Sequence, residues 1–238
     1  MYKEFYQKKL VENGLESISY DAFISLKPIL VWKNTLGIYR MMFRDDLVAS
    51  RCWAEPIIYL YPTAPTRISI ILDPKIDITK STPIYTGVWN VLANIDGKIV
   101  DTTSSKTYPY LFWEGGAPLH TMPVLIDVVK QSDIHAYLEA TLTTLGLQAN
   151  ERKDFIRYWE PKLQGNPYYR LSWYDAPRLQ PIVSHTITPA PDTLIRVMME
   201  YQTLESSVII AKNPIYKTPA RSGFTVVEWG GIAHGQIY

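Results

Sequence analysis

The sequence predicts a mainly β protein of the α+β class, in which two packed, mostly antiparallel sheets resemble a sandwich and carry an inserted helical hairpin. Strand-length apolar runs bounded by turn residues recur from residue 55 onward, and helical spacing of apolar residues is clear only at residues 133–164. Seventeen prolines among 238 residues are typical of many short strands separated by turns. We therefore predict an N-terminal extension at residues 1–54 and one β-rich domain at residues 55–238.

The N-terminal extension has weaker periodicity than the rest of the chain. Residues 2–13 fit a short helix, and residues 36–48 fit a helix and a strand equally well. Its tyrosines, methionines and arginines are residue types favoured at interfaces. We expect the extension to pack on the main domain, to bind a protein partner or to mediate self-association.

The first strands of the domain follow from apolar runs and their breakers. Residues 57–61 form a continuous apolar run ended by Pro62, and residues 67–72 alternate in polarity. Further strands are predicted at residues 88–95, 98–101 and 107–113. Asp96-Gly97 lies between two of them and predicts a two-residue type I′ hairpin turn.

A helical hairpin interrupts the strands. Ser132 is a candidate N-cap, and Gly146 is suited to end the first helix. A second helix is expected from Asn150, with Pro161 ending its regular part. The inward-facing residues are Ile134, Leu138, Leu142, Leu145, Phe155, Ile156, Trp159 and Leu163. Strands are then expected at residues 168–174, 182–188, 194–204, 207–211 and 224–229.

Composition limits the classes of function. The chain carries 24 basic and 23 acidic residues, a formal charge of +1, which argues against nucleic-acid binding. The N-terminus lacks the apolar region of a secretory signal, and no run approaches the ~18 apolar residues of a membrane span. These observations favour a cytoplasmic location and predict no membrane span.

No metal or cofactor is expected. The four histidines and the single cysteine, Cys52, do not show the spacing of metal ligands. Cys52 fits a small buried residue better than a nucleophile paired with a histidine. The Gly-Gly pairs lack the neighbouring residues of a phosphate-binding loop.

Two similar stretches, residues 107–116 and 226–231, supply the candidate catalytic residues. Each is an apolar run that ends at a glutamate beside a tryptophan and then at two glycines free to adopt positive φ. Glu114 and Glu228 could form the acid and base, or acid and nucleophile, of a glycoside hydrolase. Alternatively each carboxylate pairs with a structural arginine such as Arg196 or Arg221, or caps the Gly-Gly turn by accepting bonds from backbone N–H groups. We favour this structural alternative, because buried charges need partners in any case.

The aromatic residues admit a binding role and a packing role. Aromatics alternating along strands could form a platform for stacking sugars or bases, but more often they fill a core. Packing is favoured for most of them. The candidate binding residues are Trp89, Trp113, Trp229, Tyr110 and Arg196.

A series of motifs resembles a widespread family of uncharacterised microbial proteins with the opening KPxIYLYP. The matching segments are residues 55–62 (EPIIYLYP), 87–91 (GVWNV), 108–114 (YPYLFWE), 158–163 (YWEPKL), 166–168 (NPY), 191–197 (PDTLIRV) and 221–231 (RSGFTVVEWGG). Glu55 departs from the usual lysine, and members often carry an export or anchoring signal in place of residues 1–54. The resemblance implies one intact domain and names no reaction.

These observations lead to two functional hypotheses. The preferred one is a non-enzymatic structural or binding protein that uses an aromatic-rich surface. The alternative is a glycan-acting hydrolase with Glu114 and Glu228 as its paired carboxylates.

Overall fold

The computed structural model describes residues 19–25, 29–33, 39–43, 51–119, 121–210 and 213–233. The helix expected at residues 2–13 lies outside the described residues, as do His120 and His234. Residues 39–43, where the sequence fits a helix and a strand equally well, form a strand.

In chain order, the strands are β1 (Ile29–Lys33), β2 (Tyr39–Phe43), β3 (Arg51–Tyr61), β4 (Thr66–Leu72), β5 (Asp77–Thr82), β6 (Trp89–Ala93), β7 (Ile99–Asp101), β8 (Thr107–Tyr108), β9 (Leu111–Ala117), β10 (Leu125–Lys130), β11 (Tyr168–Asp175), β12 (His185–Thr188), β13 (Thr193–Leu204) and β14 (Thr225–Ala233). The helices are α1 (Tyr20–Ser25), α2 (Ile134–Thr144), α3 (Ala149–Trp159) and α4 (Ala176–Leu179). Single 3-10 turns precede α2 at Gln131–Asp133 and follow α3 at Glu160–Lys162.

Two large sheets form the body of the protein. The seven-stranded sheet has the order β10-β11-β13-β14-β3-β9-β5, and only its β13–β14 pair is parallel. The five-stranded sheet has the order β12-β4-β6-β7-β8 and is entirely antiparallel. Strands β1 and β2 form a separate hairpin. The predicted mainly β, α+β class with a helical hairpin is confirmed.

The seven-stranded sheet is the middle layer, because it is buried on both faces. One face packs on the five-stranded sheet, and the other packs on α2 and α3. Alternation along β14 shows the division: Val226 points into the core between the sheets, whereas Val227 points into the core beneath the helices. A strand buried on both faces reads as a continuous apolar run, as β14 does.

Strand β3 begins before the boundary drawn at residue 54. Cys52 and Trp53 are buried in it, and Trp53 is completely shielded from solvent. The last four residues of the predicted extension therefore belong to an inner strand of the seven-stranded sheet.

The helical hairpin lies where the sequence predicts it, but its first cap differs. Ser132 does not cap α2; its hydroxyl donates to Asp133, which occupies the N-cap position without a side-chain bond. Gly146 follows α2 with φ +96°, as expected for a C-terminal glycine. Helix α3 begins with a capping box formed by Gln148 and Glu151.

The turn at Asp96-Gly97 is not the predicted two-residue type I′ turn. Only Gly97 has positive φ, its amide donates to the Asn94 carbonyl, and the Asn94 amide donates to the Lys98 carbonyl. These bonds describe a longer loop with a glycine bulge, in which a single left-handed residue is sufficient.

The strand predicted at residues 207–211 is absent from the described residues 205–210. Strands β13 and β14 are parallel and in register, so the chain must return to the starting end of β13 before β14 can begin. Residues 205–224, here called the crossover, make that return.

Both Gly-Gly pairs lie inside strands rather than ending them, and neither glycine pair has positive φ. The glycines are needed for close approach instead. A Cβ on Gly231 would lie 2.5 Å from Cζ2 of Trp159, and a Cβ on Gly115 would lie 2.1 Å from the Asp77 carbonyl oxygen. Because Gly231 has no side chain, the Trp159 indole of α3 packs directly against its backbone.

We predict that Gly231→Ala destabilises the protein by about 1–3 kcal/mol, because the added methyl displaces a buried indole in a close-packed core. Urea unfolding followed by tryptophan fluorescence measures the change. The matched control is the same substitution in a Trp159→Leu background, where the smaller side chain should remove most of the cost. An equal cost in both backgrounds would show that the indole is not the cause.

Candidate functional site

The carboxylate of Glu228 is the centre of a buried polar network between the two sheets. Its side chain is 1% exposed. Arg196 donates from Nε to Oε2 at 2.6 Å, and Trp113 donates from Nε1 to Oε1 at 3.1 Å. Nε2 of His185 lies 2.7 Å from the same Oε1. Four strands therefore meet at one side chain.

Sheet geometry explains why these residues meet. Arg196 of β13 is the in-register parallel neighbour of Glu228 on β14, and His185 reaches them from β12 of the opposite sheet. The remaining donors of Arg196 also have partners, since Nη1 donates to the Val183 carbonyl at 2.5 Å and to Gln180 Oε1 at 3.1 Å. A buried guanidinium is tolerated only when it is satisfied in this way.

Charge pairing controls the ionisation of Glu228. Burial by itself would raise the pKa of the Glu228 carboxyl, but Arg196 and His185 outweigh that effect and hold the pKa far below its ordinary value. The carboxylate thus stays ionised as a structural anion. The alternative in which Glu228 pairs with Arg196 is the one that the structure shows.

Glu114 lies on the other face of the same sheet. It follows Trp113 in β9, and Trp113 points toward Glu228, so alternation turns Glu114 toward the helix side. There its side chain is 23% exposed and lies 3.7 Å from Lys80, whose ammonium also sits over the Phe112 ring. The structure does not bring Glu114 and Glu228 together.

The three candidate tryptophans are core residues. Trp89 is 2% exposed and donates from Nε1 to the Pro83 carbonyl, within the core between the sheets. Trp113 is fully buried and stacks on Trp53 at 5.8 Å. Trp229 is fully buried on the opposite face, edge-on to Phe155 of α3. None of the three offers a ring to a ligand.

Tyr110 alone among the candidate binding residues reaches the surface. Its ring is half-buried and lies edge-on to Tyr59 at 5.7 Å, and Tyr59 stacks on Tyr61 at 6.1 Å. Helix α3 holds this row in place: Asp154 accepts a bond from the Tyr59 hydroxyl at 2.9 Å, and Asn150 donates to the Tyr61 hydroxyl at 3.2 Å. The row is fixed at one end and open at Tyr110.

Glu55, on the strand that carries Tyr59, has an unusual backbone conformation. It has φ +54° within the β3 bulge, between the register positions of Trp53 and Ile57. A left-handed conformation costs a non-glycine residue roughly 1–2 kcal/mol. Such strain in a residue that is not glycine is found preferentially at functional positions.

The charges around Glu55 come from four elements: β5, β9, α3 and the 3-10 turn that follows α3. Burial raises the pKa of the Glu55 carboxyl, and the Glu114 carboxylate raises it further, whereas Lys80, Lys162 and Arg157 act in the opposite direction. Glu55 is in turn among the groups that raise the pKa of Tyr110, after burial and Asp154. We call Glu55, Lys80, Tyr110, Glu114 and Arg157 the Tyr110 surface.

The sequence patterns do not single out Glu55, Arg157 or His185 as site residues. His185 could have been found from the inward alternation of β12, where His185 and Ile187 are buried and the threonines are exposed. Glu55 precedes a proline, which signals a break in the strand but not its positive φ. No sequence signal places Arg157 near Glu55.

The described residues contain no group of three or more His, Cys, Asp or Glu side chains arranged to hold a metal ion. Among the described helices, none is long and apolar enough to cross a membrane.

Comparison with known proteins gives one partial similarity. The chain is 47% identical over 64 residues to an uncharacterised protein in the bglA 3′ region of Butyrivibrio fibrisolvens, which is 26% of this chain. The chain covers 65% of that relative's length, which is less than two thirds. No protein-family profile and no solved structure matches the chain.

We predict that Glu228→Gln lowers the unfolding free energy by about 3–5 kcal/mol, because it leaves a buried guanidinium without its counter-charge. Chemical denaturation at neutral pH measures the loss. Glu114→Gln is the matched control, since its exposed pairing with Lys80 should contribute about 1 kcal/mol or less. Equal losses in the two variants would contradict the structural role of Glu228.

Acid should weaken the fold through the same carboxylate. The folded-state pKa of Glu228 is lower than its ordinary value of 4.5, so its contribution is present above that pH and is lost as pH falls toward the folded value. Unfolding free energy measured from about pH 7 to pH 3 should fall more steeply for the wild type than for Glu228→Gln. Parallel profiles would show that other groups cause the acid sensitivity.

Proposed function

We propose that this protein is a non-enzymatic binding protein that recognises a neutral, hydroxyl-rich polymer, a glycan chain, through the Tyr110 surface. The observation that carries the proposal is the half-buried Tyr110 ring. It packs edge-on against Tyr59, and the strained, partly buried Glu55 is among the charged groups that act on its hydroxyl. We assign the proposed aromatic surface to tyrosine, because the tryptophans are used for packing.

The composition of the Tyr110 surface favours a neutral ligand. The carboxylates at and next to this surface are Glu55, Glu114 and Asp154, and the cations are Lys80, Lys162 and Arg157, of which Arg157 pairs with Asp154 at 2.9 Å. A balanced set of charges gives no net attraction to a polyanion or a polycation. It does supply strong charge-assisted hydrogen bonds to hydroxyl groups, which a sugar presents around its ring edge. The apolar face of a sugar ring can pack on the tyrosine.

The strain at Glu55 supports a binding role. Glycine would adopt φ +54° without steric cost. A glutamate at this position lowers the stability of the fold but provides a carboxylate at the surface. Its cost is acceptable when the side chain contacts a ligand. Because the pKa of Glu55 is raised, its carboxyl gains a proton, and with it a hydrogen-bond donor, at a higher pH than an ordinary glutamate does.

The hydrolase alternative has no comparable support. A glycosidase needs both carboxylates on the same side of one glycosidic bond. Glu228 is shielded from solvent and ion-paired on the sheet face opposite Glu114.

We also propose membership of the uncharacterised microbial family with the KPxIYLYP opening, supported by the order of the motifs. Binding of a partner through residues 1–54 stays a prediction.

Affinity gel electrophoresis tests the proposal with dextran, hydroxyethyl cellulose and galactomannan as neutral probes. Carboxymethyl dextran and DEAE-dextran serve as charged counterparts. We expect a neutral polymer to retard the wild-type protein and Tyr110→Ala to weaken that affinity about tenfold or more, as for an aromatic anchor. Tyr168→Ala, which removes a half-buried tyrosine from β11, should leave retardation unchanged. No retardation by any neutral polymer, or equal effects of the two variants, would refute the proposal.

Glu55→Gly separates binding from folding. Removing the strained side chain should preserve the unfolding free energy or raise it by about 1 kcal/mol, because glycine adopts positive φ freely. The same variant should bind the neutral polymer more weakly. Unchanged binding together with increased stability would show that Glu55 is strained without taking part in recognition.

A further inference from the structure

A cavity lies under the crossover, and its lining residues are distinct from those of the Tyr110 surface. Its volume is about 350 Å³, within the range of small-molecule sites. The crossover forms one wall through Tyr216, Lys217 and Pro219, while Leu145 and the start of β13 form another. The short helix α4 contributes Ala176 and Pro177.

The crossover is anchored on both sides of this cavity. On the N-terminal side of the cavity, the side chain of Asn213 bonds to the backbone of Ile126, as a neighbouring strand would. Its Oδ1 accepts from the Ile126 N–H at 2.8 Å, and its Nδ2 donates to the Ile126 carbonyl at 2.9 Å. Beyond the cavity, Arg221 donates to the Gly146 carbonyl and to Glu151, which is fully buried. Within the described chain, no hydrogen bond ties residues 217–220 to the body.

Most of the cavity lining is apolar. Leu145 and Ile195 are buried parts of the core beneath the helices, and Leu194 packs against the core between the sheets. Pro219 closes the cavity toward the hairpin by packing beside Gly146. An apolar wall with few polar groups is the usual form of a small-molecule site.

Asp175 is the carboxylate among the lining residues, and the two cations are Lys217 and Arg196, whose guanidinium is already bonded to Glu228. The side chain of Asp175 is 8% exposed, and its two contacts within the described part of the chain are long: 3.2 Å from the Tyr216 hydroxyl and 3.4 Å from Nη1 of Arg178. Arg178 is itself 43% exposed, so solvent weakens this pairing. Burial raises the pKa of Tyr216, and Asp175 raises it further, so the hydroxyl remains a hydrogen-bond donor.

We propose that this cavity binds a small, mainly apolar molecule carrying a protonated amine, with the Asp175 carboxylate as its anchor. The amine replaces the long contact from Arg178, while the apolar part of the ligand packs against Leu145, Leu194 and Ile195. A charge-assisted hydrogen bond to a buried carboxylate is stronger than the contacts it replaces. Lys217 at the rim disfavours molecules with a second cation, so the preferred ligand has a single positive charge.

The test uses 2-phenylethylamine as the probe and 2-phenylethanol as its neutral counterpart. Titration of methyl-labelled protein should shift the NMR signals of Leu145, Leu194 and Ile195 with the amine. We expect affinity for the alcohol to be at least tenfold weaker. Asp175→Asn should remove this preference for the amine, while Asp77→Asn, on the exposed edge strand β5, should retain it.

A second variant tests the proposal independently, in case Asp175→Asn does not fold. Ala176→Leu keeps the carboxylate but fills the cavity, so it should abolish the methyl shifts without lowering the melting temperature. No shifts in the wild type, equal affinity for the two probes, or an unchanged preference in Asp175→Asn would each overturn the proposal. Tyr110→Ala should not affect the titration, so the result does not depend on polymer binding.

Discussion

The ion pair between Glu228 and Arg196, completed by His185, is the interaction on which the arrangement of the two sheets depends. It joins β14 and β13 of the middle layer to β12 of the outer sheet in a region otherwise filled by apolar side chains. Apolar contacts alone are non-directional and allow sheets to slide over one another. A buried anion with fixed partners specifies one register, because any shift would leave a charge unpaired.

The single parallel pair, β13 and β14, shapes the rest of the molecule. Their parallel register requires a long return path, and the crossover supplies it. Because the crossover must pass the ends of β11 and α2, it covers Asp175 and Leu145 and creates the cavity between them. A connection imposed by topology thus produces a site that no local motif encodes.

The division of aromatic residues between packing and surface explains where recognition can occur. The tryptophans fill both faces of the middle layer, and Trp159 even requires the bare backbone of Gly231. The tyrosines lie at the border of the same core, where their hydroxyls meet polar residues of α3. Tyr110 is the end of this row, and the carboxylate of Glu55, carried by the β3 bulge, is among the charges that act on its hydroxyl.

The sequence by itself determined the class of the fold, the helical hairpin and most strands, because these depend on local periodicity and on proline and glycine at turns. It also singled out Glu228 and Arg196, which form the buried ion pair, and Tyr110, whose binding role is a proposal. Only the tertiary structure decided which face of the sheet each residue occupies relative to distant strands. Glu114 and Glu228 follow similar local patterns, yet one is at the surface and the other is buried. Pairing between residues 32 and 43 positions apart, as for Arg196 and His185 with Glu228, is set by strand order, which the local sequence does not encode.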